Sequence, residues 1–101
     1  MCGIAGYYQL NGKTPPDREL LGRMVHILRH RGPDEFGAYF DDKCALGQAR
    51  LSIIDLSTGS QPLSNEDNSL WITFNGEIFN YLELREDLEK YGHRFRTKSD
   101  T

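Results

Sequence analysis

The chain has 101 residues, enough for one small domain. Its 12 Lys and Arg residues against 15 Asp and Glu residues give a net charge of −3, which argues against a basic nucleic-acid-binding domain and against a polybasic membrane-surface protein. The mean hydropathy is −0.60, and no apolar run reaches the roughly 20 residues of a membrane span. The first residues lack the basic start and long apolar stretch of a signal peptide, so we expect a cytoplasmic protein.

In chain order, the first half of the sequence predicts a strand, a helix and two further strands. Ile4–Tyr8 is short, apolar and aromatic, which favours a buried strand. Residues 17–29 carry apolar side chains at helical spacing and predict an amphipathic helix. The next two strands cover Phe36–Phe40 and Cys44–Ile54, with a hairpin turn at 41–43.

The second half predicts a loop, a strand, a helix and the start of another strand. These elements cover Leu56–Asn68, Leu70–Phe74, 81–91 and Phe95–Thr97. Asn80 and Glu83 have the spacing of a capping box, and Gly92 is the expected stop of the helix. The pattern indicates an α+β fold in which strands outnumber helices, and we expect the chain to end within a domain.

Two cysteines, Cys2 and Cys44, permit one disulfide or two reduced thiols. A disulfide framework in a small secreted domain usually needs more cysteines and a secretion signal, so two reduced thiols are favoured. Cys2 directly follows the initiator Met, where a core residue is unexpected because chain termini fray.

Removal of Met1 would leave Cys2 with a thiol and a free α-amine on the same residue. The amine has a pKa of about 7.7–8.0, so it can act as a general base for its own thiol near neutral pH. N-terminal nucleophiles of this kind are a known variant of the catalytic triad. The position of Cys2 therefore makes it a candidate nucleophile, although a cysteine at position 2 is a weak signal by itself.

Two polar features each admit a structural and a functional interpretation. Asn75-Gly76 follows an apolar strand and is most simply a tight turn, yet an Asn amide beside a Gly backbone N–H can also form an oxyanion hole. Arg50 lies between apolar neighbours, either as an exposed strand residue or facing a pocket where it would bind a carboxylate.

The charge of residues 29–35 alone indicates a solvated helix end. The three histidines show no metal-ligand spacing with the cysteines, so no metal site is predicted.

Taken together, four ordered motifs resemble the class II glutamine amidotransferase domain, and most closely that of glutamine-hydrolysing asparagine synthetases. The motifs are Met1-Cys2-Gly3-Ile4-Ala5-Gly6, Arg29-His30-Arg31-Gly32-Pro33-Asp34-Glu35, Arg50-Leu51-Ser52-Ile53-Ile54-Asp55 and Phe74-Asn75-Gly76-Glu77-Ile78-Phe79-Asn80-Tyr81. The terminal segment 97–101 also fits, and the resemblance covers nearly the whole chain.

The resemblance implies an N-terminal-nucleophile fold, an αββα sandwich of which residues 1–101 would be an incomplete, N-terminal portion. It implies hydrolysis of L-glutamine to glutamate and ammonia through a thioester on Cys2. It also implies that Asn75 and Gly76 hold the oxyanion. The glutamine-binding set it implies is Arg50, Leu51, Ser52, Ile53, Ile54, Asn75, Gly76, Glu77 and Asp100. Within that set, Arg50 would bind the α-carboxylate, and Glu77 and Asp100 the α-ammonium group.

The family also implies what lies outside this chain. The glutaminase step needs no cofactor, whereas ATP and Mg²⁺ belong to a C-terminal synthetase domain, which would be the partner of this portion and is not in the sequence. The oligomeric state is not fixed by the sequence, which is compatible with a homodimer. Neither nucleic acid nor membrane is an expected partner. Two alternatives remain: a related amidotransferase with another ammonia acceptor, such as a cell-surface sugar, or an inactive binding or assembly fragment.

Overall fold

A computed structural model describes residues 2–11, 14–51 and 60–101, which form five β-strands and two α-helices. The strands are β1 (Gly3–Tyr8), β2 (Glu35–Phe40), β3 (Cys44–Arg50), β4 (Leu63–Ser64) and β5 (Trp71–Ile72). The helices are α1 (Arg18–Ile27), which continues into a 3₁₀ turn at Leu28–His30, and α2 (Tyr81–Lys90). The mixed α and β content agrees with the predicted class.

The larger sheet is antiparallel, with strand order β1-β3-β2. Gly3 pairs with Ala49 at one end of β1, and Tyr8 pairs with Cys44 at the other. The predicted hairpin between β2 and β3 is confirmed, because Asp41 Oδ1 accepts hydrogen bonds from the backbone N–H groups of Lys43 (2.8 Å) and Cys44 (2.7 Å). A side-chain oxygen that bonds its own following backbone in this way stabilises a turn.

Helix α1 covers one face of this sheet and forms the hydrophobic core with it. Leu21 and Val25 pack with Ala45 and Ala49 of β3, and all four are buried. The predicted helix is confirmed with its start at Asp17, whose Oδ1 accepts from Glu19 N (2.9 Å) and Leu20 N (3.3 Å). The small residues of β3 allow the helix to lie close to the sheet.

The opposite face of the sheet meets the segment that contains β4 and β5. The ring of Tyr39 in β2 stacks on Trp71 in β5, with centroids 4.2 Å apart. Strand β4 corrects the prediction of a continuous loop over Leu56–Asn68, since its polar sequence gave no strand pattern. The predicted strand Leu70–Phe74 is confirmed only at Trp71–Ile72.

Helix α2 agrees with the predicted range, and Gly92 beyond it has the positive φ of 95° that suits a helix stop. The predicted capping box is wrong. Asn80 has φ −98° and ψ 26°, not the extended backbone of a capping residue, and its side chain makes no cap hydrogen bond. On the exposed face of the helix, Lys90 Nζ lies 4.0 Å from Glu86 Oε1, one turn earlier.

The strand predicted at Phe95–Thr97 is also wrong, because side-chain contacts and not a neighbouring strand hold this segment in place. Arg85 donates to the Thr97 carbonyl oxygen and places its guanidinium 4.7 Å from the centre of the Phe95 ring. Arg96 donates to Ser64 Oγ at 2.8 Å. These contacts hold the segment against α2 and β4 without a strand ladder.

Some predictions fall on residues that the structure does not describe. They concern Met1, the turn at Asn11-Gly12 in part, and residues 52–59, which include the last part of the predicted strand Cys44–Ile54. Among the described residues, β3 ends at Arg50 and Leu51 lies beyond it. No helix in the described part of the chain has the length and apolar character to span a membrane.

Candidate active site

The backbone carbonyl of Cys2 joins three distant segments of the chain. Asn75 Nδ2 donates to it at 3.0 Å, and Arg31 Nε donates to it at 3.2 Å. The donors lie 73 and 29 residues away from Cys2 in sequence. The candidate nucleophile is therefore fixed by one of the two predicted oxyanion residues.

Arg31 contacts the candidate nucleophile, but its charge did not identify it as a site residue. The charge of residues 29–35 predicts only a solvated helix end. In the structure Arg31 is partly buried and directed at Cys2. The available signal was its position inside the second family-like motif, not its charge. A cation bound to the Cys2 carbonyl lies beside the candidate nucleophile and raises the local positive potential.

Arg50 lies at the same end of the sheet as Cys2. Continuing the β1–β3 register by one residue places Cys2 opposite Arg50, on the sheet face away from α1. The guanidinium contacts Glu35 Oε2 at 3.2 Å, and the Arg50 side chain is only 13% exposed. Because an arginine carries five N–H donors, this ion pair is compatible with a bidentate bond to a substrate carboxylate.

Asn75 and Gly76 do not form the hairpin turn that their sequence suggests. No strand lies between Gly76 and α2, and Gly76 lacks the positive φ that a tight hairpin would require. A Cβ atom on Gly76 would lie 2.6 Å from Cζ of the Phe74 ring, which gives a steric reason for glycine here. The segment thus leaves β5 through a bend at Gly76, with the Asn75 side-chain amide in contact with Cys2.

The two predicted ammonium ligands belong to adjoining segments. Asp100 Oδ2 accepts a hydrogen bond from the backbone N–H of Ile78 at 2.9 Å. Since Ile78 directly follows Glu77, the end of the chain is attached to the segment that carries the candidate oxyanion donors. Leu51 follows Arg50, whereas Ser52, Ile53 and Ile54 lie outside the described residues.

Both cysteines are free thiols, as predicted, and they lie at opposite ends of the β1–β3 pair. Six strand residues separate them, a distance of about 20 Å. Burial, followed by the charge of Asp41, raises the pKa of the Cys44 thiol above its ordinary value. The raised pKa leaves less of the Cys44 thiol as thiolate at neutral pH and so lowers its reactivity.

The histidines take no part in this arrangement as far as the described residues show. His93 Nδ1 lies 2.9 Å from Glu66 Oε1 at the surface, and His30 Nδ1 lies 3.0 Å from the Ile27 carbonyl oxygen. Across residues 2–11, 14–51 and 60–101, no group of three His, Cys, Asp or Glu side chains is placed to hold a metal ion.

The predicted site residues combine one thiol, two neutral donors, one cation and two carboxylates, and the structure adds a second cation, Arg31, at the Cys2 carbonyl. A thiol can attack a carbonyl carbon, and neutral N–H groups can stabilise the oxyanion that forms. A cation with two anions complements the carboxylate and ammonium groups of an amino acid. The chemistry that fits best is acyl transfer from an amino acid side chain.

Comparison with known proteins gives a consistent result. The model of the glutamine amidotransferase domain family matches residues 1–101. The chain is 48% identical over 103 residues to asparagine synthetase (glutamine-hydrolysing) 1 of Bacillus subtilis (strain 168), covering 100% of this chain and 16% of that protein. It is 42% identical over 100 residues to asparagine synthetase (glutamine-hydrolysing) 3 of Arabidopsis thaliana, and 43% identical over 100 residues to asparagine synthetase (glutamine-hydrolysing) 1 of Lotus japonicus. Each plant alignment covers 99% of this chain and 17% of the relative, so the chain spans about one-sixth of the length of these proteins.

Proposed function

This chain belongs to the glutamine amidotransferase domain family, and from that premise we propose that it is the glutaminase portion of an asparagine synthetase, with Cys2 as its nucleophile. The observation that carries the proposal is the hydrogen bond from Asn75 Nδ2 to the Cys2 carbonyl oxygen at 3.0 Å. It brings the predicted oxyanion donor to the predicted nucleophile across 73 residues of sequence.

In the proposed reaction, the Cys2 thiol gives its proton to its own α-amine, and the sulfur attacks the side-chain amide carbon of glutamine. The negative charge that forms on the amide oxygen is stabilised by Asn75 Nδ2 and the Gly76 N–H. The α-ammonium returns the proton to the leaving nitrogen, which departs as ammonia and leaves a glutamyl thioester. Water then adds to the thioester carbon, and the sulfur leaves and regains its proton as glutamate is released.

In this proposal, glutamine is bound through its α-carboxylate and its α-ammonium group. Arg50 receives the α-carboxylate, while Glu77 and Asp100 receive the α-ammonium group. Leu51 and the backbone of Ser52, Ile53 and Ile54 would line the site. The pairing of one cation with two anions selects an amino acid over a simple amide.

The proposal extends to the longer protein because the matched relatives are about six times the length of this chain. Residues 1–101 would be the N-terminal part of an αββα N-terminal-nucleophile domain. The α1 layer and the two sheets are compatible with that fold. The ammonia would pass to activated aspartate in a synthetase domain, which would also bind the ATP and Mg²⁺ of that step.

The test is the intact mass of the purified chain before and after exposure to diazo-oxo-norleucine, an electrophilic glutamine mimic. We expect a mass that lacks Met1 and gains one adduct, which peptide mapping assigns to Cys2. L-glutamine should protect Cys2 from the reagent. Retention of Met1 with no adduct would contradict the proposal, because an acylated α-nitrogen cannot act as the base.

Two variants make the assignment specific. Cys44→Ser leaves Cys2 and its contacts unchanged, so it should be labelled like the parent chain. Cys2→Ser should acquire no adduct at Cys44, whose raised pKa leaves little thiolate at neutral pH. An adduct that persists in Cys2→Ser would assign the reactivity to general alkylation and overturn the proposed nucleophile.

A further inference from the structure

Both backbone polar groups of Phe74 are bound by glutamine side chains and not by a neighbouring strand. Gln61 Oε1 accepts from the Phe74 N–H at 2.6 Å, and Gln48 Nε2 donates to the Phe74 carbonyl oxygen at 3.2 Å. The two side chains also bond each other, Gln48 Nε2 to Gln61 Oε1, at 3.0 Å. We call this closed triangle of Gln48, Gln61 and the Phe74 backbone the amide clamp.

The clamp is buried at its base. Gln48 is 1% exposed and lies in the middle of β3, paired with Ile4 on one side and Gly37 on the other. A buried amide costs free energy unless it is hydrogen-bonded, so a glutamine here is less favourable for stability alone than an apolar side chain of similar size. The buried amide gains instead a fixed direction for its hydrogen bonds, which an apolar side chain lacks.

The approach of Gln61 to the sheet depends on a glycine. A Cβ atom on Gly37 would collide with the Gln61 backbone carbonyl oxygen. Gly37 pairs directly with Gln48 in the β2–β3 register. The sheet is therefore shaped at this point to let Gln61 come within hydrogen-bond distance of Gln48 and Phe74.

The amide clamp also reaches the end of the chain. Gln61 Nε2 donates to Thr101 Oγ1 at 3.1 Å, beside Asp100. One side chain thus contacts the segment before Asn75 and the segment of the predicted ammonium ligand. The base of the clamp is on β3, which also carries Arg50 two residues after Gln48.

We propose that Gln48 and Gln61 are positioning residues that set Asn75 and Gly76, through the Phe74 backbone, at the distance from Cys2 that oxyanion stabilisation requires. The inference rests on the proposed glutaminase function and deepens it. Small displacements of catalytic groups are costly, since a shift of about 1 Å can slow a reaction by about 10²-fold. The clamp would act on the reaction rate more than on glutamine affinity, because Arg50, Glu77 and Asp100 make the binding contacts.

The test compares Gln61→Met with Gln61→Glu. Methionine has a similar length but no strong acceptor for the Phe74 N–H, whereas a glutamate oxygen can still accept from Phe74 and Gln48. Asn65→Ala is the matched control, because Asn65 Oδ1 accepts from Leu70 N (3.0 Å) and Nδ2 donates to Ser69 Oγ (2.9 Å) in the β4–β5 turn. The readouts are the maximal rate and half-saturating concentration of labelling by diazo-oxo-norleucine, the alkylation rate of Cys2 by iodoacetamide, and Tm.

We expect Gln61→Met to lower the maximal labelling rate by about 10- to 10²-fold with little change in half-saturation, and Gln61→Glu to restore most of the rate. Iodoacetamide needs no oxyanion hole, so its reaction with Cys2 should be unchanged, and Asn65→Ala should lower only Tm. If Gln61→Met is labelled at the parental rate, the positioning role of the clamp is overturned but the glutaminase proposal is not. The same holds if Asn65→Ala, with a Tm equal to that of Gln61→Met, loses as much labelling rate. A parent chain that resists diazo-oxo-norleucine would instead overturn the glutaminase proposal, and the positioning role with it.

Discussion

The most informative single substitution is Asn75→Ala, because Asn75 has both a structural contact and a proposed catalytic role. The substitution removes the Nδ2 donor that lies 3.0 Å from the Cys2 carbonyl oxygen. That oxygen keeps a second donor, Arg31 Nε at 3.2 Å. No acceptor is left unsatisfied, so the large penalty for a buried orphan group does not arise.

The two roles of Asn75 predict effects of different size. Loss of one hydrogen bond at an exposed side chain should lower the free energy of unfolding by about 0.5–1.5 kcal/mol. Loss of one oxyanion donor should slow acylation about 10²- to 10³-fold, equivalent to about 2.7–4 kcal/mol in the transition state. The substitution should therefore raise the activation free energy of acylation by more than it lowers the free energy of unfolding.

The assay is the rate of Cys2 labelling by diazo-oxo-norleucine, with urea denaturation of the same samples. Asn75→Asp is the isosteric control, because an aspartate carboxylate offers no N–H donor. This variant should be labelled no faster than Asn75→Ala. Iodoacetamide labelling of Cys2 should stay at the parental rate. If Asn75→Ala is labelled by the glutamine mimic as fast as the parent chain, Asn75 is only a structural residue and the oxyanion assignment is refuted.

Three further predictions concern stability. Asp17→Ala removes the cap of α1 and should lower the free energy of unfolding by about 0.5–2 kcal/mol in urea denaturation, and Asp17→Asn should restore most of it. Gly37→Ala forces a Cβ against the Gln61 carbonyl oxygen and should cost about 1–3 kcal/mol in the same measurement, whereas Gly22→Ala, with open space around its Cβ, should not destabilise. The backbone N–H groups of Lys43 and Cys44 hold the pKa of Asp41 below its ordinary value of 3.8, so its stabilising effect is present above that pH and is lost as the pH falls through the lowered pKa. A pH series of Tm should accordingly fall less steeply below about pH 4 in Asp41→Asn than in the parent chain, and equal slopes would contradict the assignment.

The elements that the sequence predicts well are those whose pattern is local. Helix α1 has an apolar stripe and a capping aspartate, and the structure contains both. The β2–β3 hairpin is predicted by Asp41 and the residues after it, which form a side-chain-stabilised turn. In each case the residues that determine the element lie within a few positions of one another.

The failed predictions have a different physical origin. Asn80 and Glu83 have the spacing of a capping box, but spacing does not fix the backbone of Asn80, whose φ of −98° and ψ of 26° are neither extended nor helical. Phe95–Thr97 has strand-like composition, yet Arg85 binds its backbone and its own Arg96 side chain reaches out to Ser64. Contacts between residues more than ten positions apart decided both the shortened β5 and the absent final strand.

The amide clamp shows why part of the site could not be read from sequence alone. Gln48 is a polar residue in an alternating strand, where the simplest prediction is exposure to solvent. It is buried because Gly37 on the neighbouring strand leaves room for Gln61 to cover it. Three residues from separate segments are needed to see this, and no single motif contains them.

The site itself is a consequence of strand register. Because β1 and β3 are antiparallel, the residue before β1 must face the last residue of β3, which brings Cys2 to Arg50. The amide clamp on the same face of β3 then directs Phe74, and with it Asn75, towards Cys2. A register shift of one residue would turn Arg50 to the α1 face and separate it from the thiol. The pairing of Gly3 with Ala49 is therefore as necessary for the proposed chemistry as the reactive residues.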